Sequence, residues 1–310
     1  MKKYIIAIDM GGTHIRTAIF DKDSRILSLE SFHNSHSIVD IKKIKDSIRA
    51  QSNNLAIDIN RDVDGIGIAI ASPGVNPATG KVNWNKLTFT FPKNFNILNE
   101  FRKEFKKPVF IENDLNSAAL AELYVGNLQG KKNGLVITVS TGIGAGIISN
   151  GFLLRGSNYT AGEIGHMFIN DNDKELVCNR GDFGCWEAFA SAKSTEQRYY
   201  KKYKKQISAK EIIKLAQKGN KKALSVLKDI SFWFGLGLSN IINILDPEVI
   251  VMYGNFFLNS WPLFKKDVLK IIQKRSFNPS IKFKRTKFGD NGSLIGAANL
   301  VIHKPYETIV

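Results

Sequence analysis

A strand, a glycine-rich turn and a returning strand occur twice in this chain, and this duplication limits the folds it can adopt. The first copy joins the apolar residues 4–9 to residues 15–20, a pattern that predicts a β-hairpin. The second copy has a strand at 135–139, a turn at 140–146 and a return strand that begins at Ile147. Two related halves that mix strands with helices indicate an α/β protein with two lobes.

The spacing of apolar residues predicts further elements around these hairpins. Strands are expected at 63–71, 109–111 and 249–252. Helices are expected at 37–49, from Ile97 to Phe105, after Asp114, across 193–245, at 261–275 and from about Gly292.

Each glycine-rich turn can hold phosphate oxygens. The first has the sequence DMGGT at 9–13, where glycine amides and the Thr13 hydroxyl can donate hydrogen bonds and Asp9 can hold Mg²⁺ through water. The second, STGIGAG at 140–146, offers the same chemistry. Neither turn is a P-loop or a dinucleotide-binding turn. A cradle in each lobe resembles the two-lobed actin/hexokinase-like, ribonuclease H-like ATPase fold, with duplicated βββαβα-type domains.

Asp114 is the candidate general base. It follows the strand at 109–111 and precedes a helix, so a helix N-cap is an alternative explanation for its presence. A kinase needs a carboxylate that accepts the proton of the attacking hydroxyl. The adjacent Asn113 can hydrogen-bond a polyol.

The stretch 161–187 gathers both cysteines of the chain, a histidine and two glutamates. Such a set suggests a loop that is supported by a metal and also presents polar groups to a ligand. Only three zinc ligands stand out, His166, Cys178 and Cys185, which is one fewer than a closed tetrahedral site needs.

Charge and cysteine content narrow the partners and the compartment. The formal net charge is +16, but the lysines are dispersed and no basic segment is interleaved with aromatics, so we predict no nucleic-acid partner. Two cysteines cannot form a disulfide framework. The first apolar run, 4–8, is too short for a signal peptide or a membrane span. We therefore expect a cytoplasmic protein with no membrane segment.

These motifs together resemble the ROK family of bacterial sugar kinases and related repressors. The matching segments are DMGGT at 9–13, END at 112–114, STGIGAG at 140–146, GEIGH at 162–166, GDFGCWE at 181–187, LDPEVI at 245–250 and GAA at 296–298. The match runs through nearly the whole chain in the family's order.

The resemblance implies a glucokinase-like enzyme that uses ATP and Mg²⁺ to phosphorylate a hexose or amino-hexose, usually at the 6-hydroxyl. It implies sugar contacts from Asn85, Asn113, Asp114, Glu163, His166 and Glu187, with Asp114 as base. It implies nucleotide contacts from Asp9, Gly11, Gly12, Thr13, Thr141, Gly142 and Gly254. We expect an N-terminal lobe at 1–116, onto which a helix at about 292–310 packs back, and a C-terminal lobe at 117–291 with a sugar-contacting loop at 160–190. The resemblance also implies a homodimer.

Two positions depart from the family pattern. Tyr253 and Asn255 flank Gly254 where the family has a glycine-rich run. Arg180 replaces the middle cysteine of the family's zinc motif, and a guanidinium cannot ligate zinc. Either three ligands and a water hold zinc weakly, or Arg180 supports the loop by hydrogen bonds without metal. We expect no tightly bound zinc.

Two other functions compete with the kinase. The family's repressors carry a helix-turn-helix domain before the first turn, and only eight residues precede Asp9 here, so we do not expect a repressor. A non-catalytic or regulatory sugar-binding relative is the other alternative. The identity of the sugar stays open, and we expect residues 72–87, with Asn76, Asn83 and Asn85, to decide it.

Overall fold

The computed structural model describes residues 3–34, 39–82, 90–91 and 95–305. They form two compact units. Unit 1 takes in Met1–Gln129, Leu153–Ala161 and Asp290–Val310, and unit 2 takes in Gly130–Phe152 and Gly162–Gly289.

Unit 1 is built on a five-stranded mixed sheet. Its elements up to residue 129 are β1 (Tyr4–Met10), β2 (His14–Asp21), β3 (Ile26–His33), α1 (Ile41–Asn54), α2 (Ile59–Asp62), β4 (Val63–Ile70), α3 (Ile97–Phe105), β5 (Val109–Asn113) and α4 (Asp114–Val125). The strand order is β3-β2-β1-β4-β5. The β1–β2 and β2–β3 pairs are antiparallel, whereas β1–β4 and β4–β5 are parallel.

Unit 2 repeats this arrangement. Its elements are β6 (Gly134–Val139), β7 (Ile143–Ser149), β8 (Phe152–Leu153), α5 (Trp186–Ala190), α6 (Ala192–Tyr203), α7 (Ala209–Gln217), α8 (Lys221–Leu245), β9 (Val249–Tyr253), α9 (Asn255–Arg275) and β10 (Lys282–Arg285). The strand order is β8-β7-β6-β9-β10, which corresponds strand for strand to the order in unit 1. The β6–β7 pair is antiparallel, and the β6–β9 and β9–β10 pairs are parallel. The predicted α/β fold with duplicated halves is confirmed.

The last helix, α10 (Gly292–His303), belongs to unit 1 and packs against α4, β4 and β1. Two glycines permit this close approach. A Cβ on Gly67 of β4 would lie 1.8 Å from the Ala297 carbonyl oxygen, and one on Gly296 would lie 1.8 Å from that of Ser117 in α4. The helix ends at His303 because Lys304 adopts a left-handed conformation and a proline follows.

Each unit has its own apolar core. In unit 1 isoleucines of β1 and β4 pack with Phe101 of α3. In unit 2 Phe234 of α8 packs with the fully buried Trp186 and with Phe257 of α9. Within the described ranges no helix is both long and apolar enough to cross a membrane.

The elements differ from the predicted ones at several points, including α9, which begins at Asn255 rather than residue 261, and β3, which was not predicted. Helix α1 begins at Ile41 rather than residue 37, because Asp40 caps it by accepting a hydrogen bond from the Lys43 amide at 3.0 Å; residues 35–38 lie outside the described part. The return strand β7 begins at Ile143 rather than Ile147, so the second turn is only the three residues 140–142. Ile143 already pairs with Val139.

Candidate active site

The first glycine turn, residues 11–13, joins β1 to β2. The Gly11 amide donates to the His14 carbonyl at 3.0 Å, which closes the turn. Asn34 holds it from outside, with its backbone amide on the Thr13 carbonyl at 2.8 Å and its side-chain amide on the Gly11 carbonyl at 3.1 Å. Thr13 is exposed, so its hydroxyl is accessible to a ligand.

Asp9 stands at the end of β1 and is only 4% exposed. Arg16 lies directly opposite on β2 and donates to the Oδ2 atom of Asp9 through Nε at 3.0 Å and through a second, closer guanidinium nitrogen. The guanidinium also donates to Asn291 at 3.1 Å. Asp9 supplies the oxygen ligand that Mg²⁺ prefers, so it fits the predicted ion, but Arg16 competes for its charge.

Asn113, rather than Asp114, is the N-cap of α4. Its Oδ1 accepts hydrogen bonds from the amides of Leu115 at 2.9 Å and Asn116 at 3.0 Å. Its Nδ2 donates to the Ser72 carbonyl at 3.1 Å and to the Oδ1 atom of Asp114 at 3.0 Å. Asn113 therefore fixes the carboxylate of its neighbour.

Asp114 occupies the first turn of α4 and is half-buried. Its Oδ1 also accepts a hydrogen bond from the Leu115 amide at 2.9 Å. The positive end of the helix dipole stabilises a carboxylate at this position. Because the cap is supplied by Asn113, the capping role that we considered for Asp114 is not what holds it here.

The second turn, residues 140–142, contacts Glu187 of α5. Ile143, the first residue of β7, donates its amide to the Oε2 atom of Glu187 at 2.9 Å. A Cβ on Gly142 would lie 2.4 Å from the same oxygen, so a side chain there would displace the Glu187 carboxylate. Thr141 is exposed at the tip.

Glu163 precedes a short 3-10 helix, Ile164–His166, and His166 is its last residue. The Oε2 atom of Glu163 lies 3.9 Å from Nε2 of His166. Burial, followed by the nearby charge of Glu187, raises the pKa of Glu163, while Arg180 opposes the shift. Two carboxylates and an imidazole therefore share one polar region of unit 2.

Ligand atoms of His166, Cys178 and Cys185 all lie within 4.8 Å of one another. Both cysteines are buried, and within the described chain the buried Nδ1 of His166 has no hydrogen-bond partner. Burial raises the pKa of Cys185 to about 12, so its thiolate at neutral pH needs a neighbouring cation. These three residues fit zinc as ligands.

Arg180 does not complete the set. Its Nε lies 3.3 Å from the Oδ2 atom of Asp182, and both side chains are largely exposed. The turn that carries it is closed by the backbone, since the Cys178 amide donates to the Asp182 carbonyl at 2.9 Å.

The other residues that were predicted to contact the nucleotide or the sugar belong to separate segments of the chain. Gly254 links β9 to α9 with a positive φ of 87°. Asn76 folds its own turn by accepting hydrogen bonds from the amides of Ala78 at 3.0 Å and Thr79 at 3.1 Å. Asn83 and Asn85 lie outside the described residues.

Sequence reasoning missed two partly buried arginines, Arg16 and Arg155. The first lies opposite Asp9 in the hairpin register, so counting the register back from the turn would have paired them. The second forms an ion pair with Glu112 across 43 positions, and no local pattern marks such a pair.

Comparisons with known proteins agree with this architecture. Residues 5–304 match the model of the ROK family. A xylose repressor from Bacillus spizizenii is 30% identical over 96% of this chain and 77% of its own length. A glucokinase from Halalkalibacterium halodurans is 28% identical over 96% of this chain and 95% of its own length.

A solved structure has the same fold. The ROK family glucokinase from Streptomyces griseus, in complex with glucose and AMPPNP, superposes with a TM-score of 0.77 at 25% identity, covering 96% of this chain and 98% of that one. The fold is thus that of sugar kinases of the hexokinase type. The chain belongs to the ROK family, which contains repressors as well as kinases.

Proposed function

We propose that this chain is an ATP-dependent sugar kinase that phosphorylates a hexose or amino-hexose at its 6-hydroxyl. The observation that carries the proposal is the fixed carboxylate of Asp114, which Asn113 and the Leu115 amide hold at the start of α4. The family relatives that are sugar kinases support the class of reaction.

In the proposed reaction Asp114 orients the sugar hydroxyl and accepts its proton. The hydroxyl oxygen forms a bond to the γ-phosphorus while the bond to the leaving oxygen of ADP breaks. Positioning supplies most of the rate enhancement in such transfers. The amides of Gly11, Gly12 and Gly142, with the hydroxyls of Thr13 and Thr141, would stabilise the negative charge on the phosphates.

The sugar's other hydroxyls would bond to polar side chains. We assign this role to Glu163, His166 and Glu187. The side-chain amide of Asn113, expected from the family resemblance to contact the sugar, already makes four hydrogen bonds within the chain and positions Asp114 instead. Glu187 keeps acceptor capacity because each of its oxygens receives one backbone amide, at 2.9 Å from Ile143 and 2.7 Å from Asn179.

Two ions would support these residues. Mg²⁺ would be held near Asp9 and would neutralise phosphate charge. Zinc, where bound, would be held by His166, Cys178 and Cys185 and would fix the orientation of the His166 ring.

The test compares Asp114→Asn with the wild type in a coupled assay of ADP release across a panel of hexoses and N-acetylhexosamines. We expect turnover to fall by about 10²- to 10⁴-fold, because the acceptor of the proton is lost. Sugar binding, measured by calorimetry, should persist. Asp58→Asn is the matched control, since Asp58 caps the exposed helix α2 and should leave turnover unchanged.

A non-catalytic sugar-binding role is the second candidate, and the similarity to a xylose repressor favours it. The same panel separates the two. A wild-type protein that binds a sugar but releases no ADP with any of them is a sensor, whereas sugar-dependent ADP release identifies a kinase.

A further inference from the structure

We propose that Arg155 is a positioning residue for Asp114 and acts through the buried carboxylate of Glu112. The inference rests on the proposed function, in which Asp114 is the general base. Glu112 directly precedes the Asn113–Asp114 pair at the end of β5.

Arg155 and Glu112 form a buried ion pair. The Nε atom of Arg155 donates to the Oε2 atom of Glu112 at 2.7 Å, and the side chains are 10% and 1% exposed. A charge removed from water to this degree persists only where opposite charge or hydrogen bonds compensate it, and each of these groups supplies that compensation to the other. A pair of this kind is costly to keep for stability alone, and specifying one geometry is its better attested use.

The second carboxylate oxygen of Glu112, Oε1, accepts hydrogen bonds from residues that precede and follow Asp114 in the sequence. Oε1 accepts the Asn113 amide at 2.9 Å and the side-chain amide of Asn116 at 3.0 Å. The carboxylate therefore connects the last residue of β5 to the first turn of α4, with Asp114 between the two contacts. A displacement of Glu112 would move both ends of this short segment.

Arg155 itself is fixed from another part of unit 1. It lies in Leu153–Ala161, a segment that belongs to unit 1 although its neighbours in sequence belong to unit 2. The Ala161 amide donates to the Arg155 carbonyl at 3.0 Å, and the Gly74 amide donates to the Tyr159 carbonyl at 3.1 Å. Arg155 thus contacts Glu112 from a segment that is itself fixed by backbone hydrogen bonds.

The experiment is a double-mutant cycle on the full chain with Arg155→Gln, Glu112→Gln and the pair together. We expect each single change to lower kcat by about 10- to 100-fold, because a small misplacement of a base costs this much, while KM for MgATP stays unchanged. The double change should lose no more than the worse single one, since both act through one contact. Arg155→Lys, which keeps the charge, should recover part of kcat.

A second readout does not depend on activity. Hydrogen exchange of the amides of residues 113–116 should be faster in Arg155→Gln than in the wild type. Arg102→Gln is the matched control, because Arg102 bonds the Val109 carbonyl at 3.2 Å at the opposite end of β5. It should change neither the exchange of 113–116 nor kcat.

Unchanged exchange at 113–116 in Arg155→Gln would overturn the proposal, as would losses of kcat that add in the double variant. Should the single variants fold poorly, the double variant, which has no unpaired charge, and Arg155→Lys supply the same comparison. Failure of the proposed function gives a different result. In that case Asp114→Asn keeps its turnover or the wild type has none, and the exchange rates alone decide whether Arg155 fixes the segment.

Discussion

The Oε2 atom of Glu187 accepts a hydrogen bond from the amide of Ile143 at 2.9 Å, and its Oε1 accepts one from the amide of Asn179 at 2.7 Å. One carboxylate, 4% exposed, therefore connects the second glycine turn to the loop that carries Cys178. The second glycine turn and the loop that carries Cys178 therefore share the carboxylate of Glu187.

Glu187→Gln should weaken nucleotide binding as well as sugar binding. The amide group can accept from only one of the two backbone amides, and a hydrogen bond to a charged acceptor contributes about 1.5–3 kcal/mol. We expect the affinity for AMPPNP without sugar to fall about 10- to 100-fold, measured by calorimetry. Glu196→Gln is the control, because Glu196 accepts the Ala209 amide at 2.8 Å away from the turn. Unchanged AMPPNP affinity in Glu187→Gln would limit Glu187 to the sugar.

Arg16→Gln should destabilise unit 1 and make the carboxylate of Asp9 available to Mg²⁺. Asp9 would keep a buried charge without its partner, and loss of one member of such a pair costs about 3 kcal/mol. Urea unfolding measures this loss, and Mg²⁺ should raise the Tm of the variant more than that of the wild type. Lys3→Gln breaks an exposed pair with Asp64 and should cost less than about 0.5 kcal/mol. An equal Mg²⁺ effect in variant and wild type would argue against Asp9 as the ion's contact.

Arg180→Cys should increase the affinity for zinc, because it adds a thiolate to a set of three ligands. Competition with a coloured chelator measures the change in affinity, and mass spectrometry of the intact protein counts the metal. Arg180→Ser removes the guanidinium without adding a ligand and is the matched control. Equal zinc affinity in the two variants would mean that position 180 does not reach the metal.

His303→Phe should make stability less sensitive to mild acid. His303 stacks on Tyr124 with ring centroids 3.8 Å apart, and burial lowers the pKa of the imidazole. The unfolded chain thus binds the proton first. Stability contributed by the neutral ring is complete above a pH of about 6.5 and is lost as the pH falls toward the lowered folded pKa. Urea midpoints between about pH 7 and pH 5 should change less in the variant, which keeps the aromatic stack.

His33→Phe, an exposed change on β3, should keep the wild-type pH dependence of these midpoints. The same dependence in His303→Phe as in the wild type would show that another group titrates instead.

Local patterns predicted most of the fold. Apolar residues 4–9 and 15–20 flank a turn of two glycines, and nothing distant is needed to form that hairpin. Strand β3 was missed because two of its leucines face solvent and its glutamate faces the protein, the reverse of the usual alternation in a strand. Leu27 and Leu29 face outward and are each 42% exposed, whereas Glu30 faces inward and receives the hydroxyl of Ser47.

The candidate site was predicted in its parts. The grouping of His166, Cys178 and Cys185 followed from their short spacing. The hydrogen bonds that fix Asp114 did not, because they depend on which atom of Asn113 faces which amide. The contact between Arg155 and Glu112 was beyond prediction for a different reason, since it depends on a segment that returns to unit 1 from the middle of unit 2.

The packing of α10 also determines when unit 1 can finish folding. Its contacts at Gly67 and Ser117 involve Ala297 and Gly296, which leave the ribosome only after every residue of unit 2 has been made. The half of the protein whose synthesis begins first is therefore completed last. Until then the surface of β1, β4 and α4 that α10 covers has no partner from its own unit, and a nascent chain stalled before residue 292 would present it to chaperones.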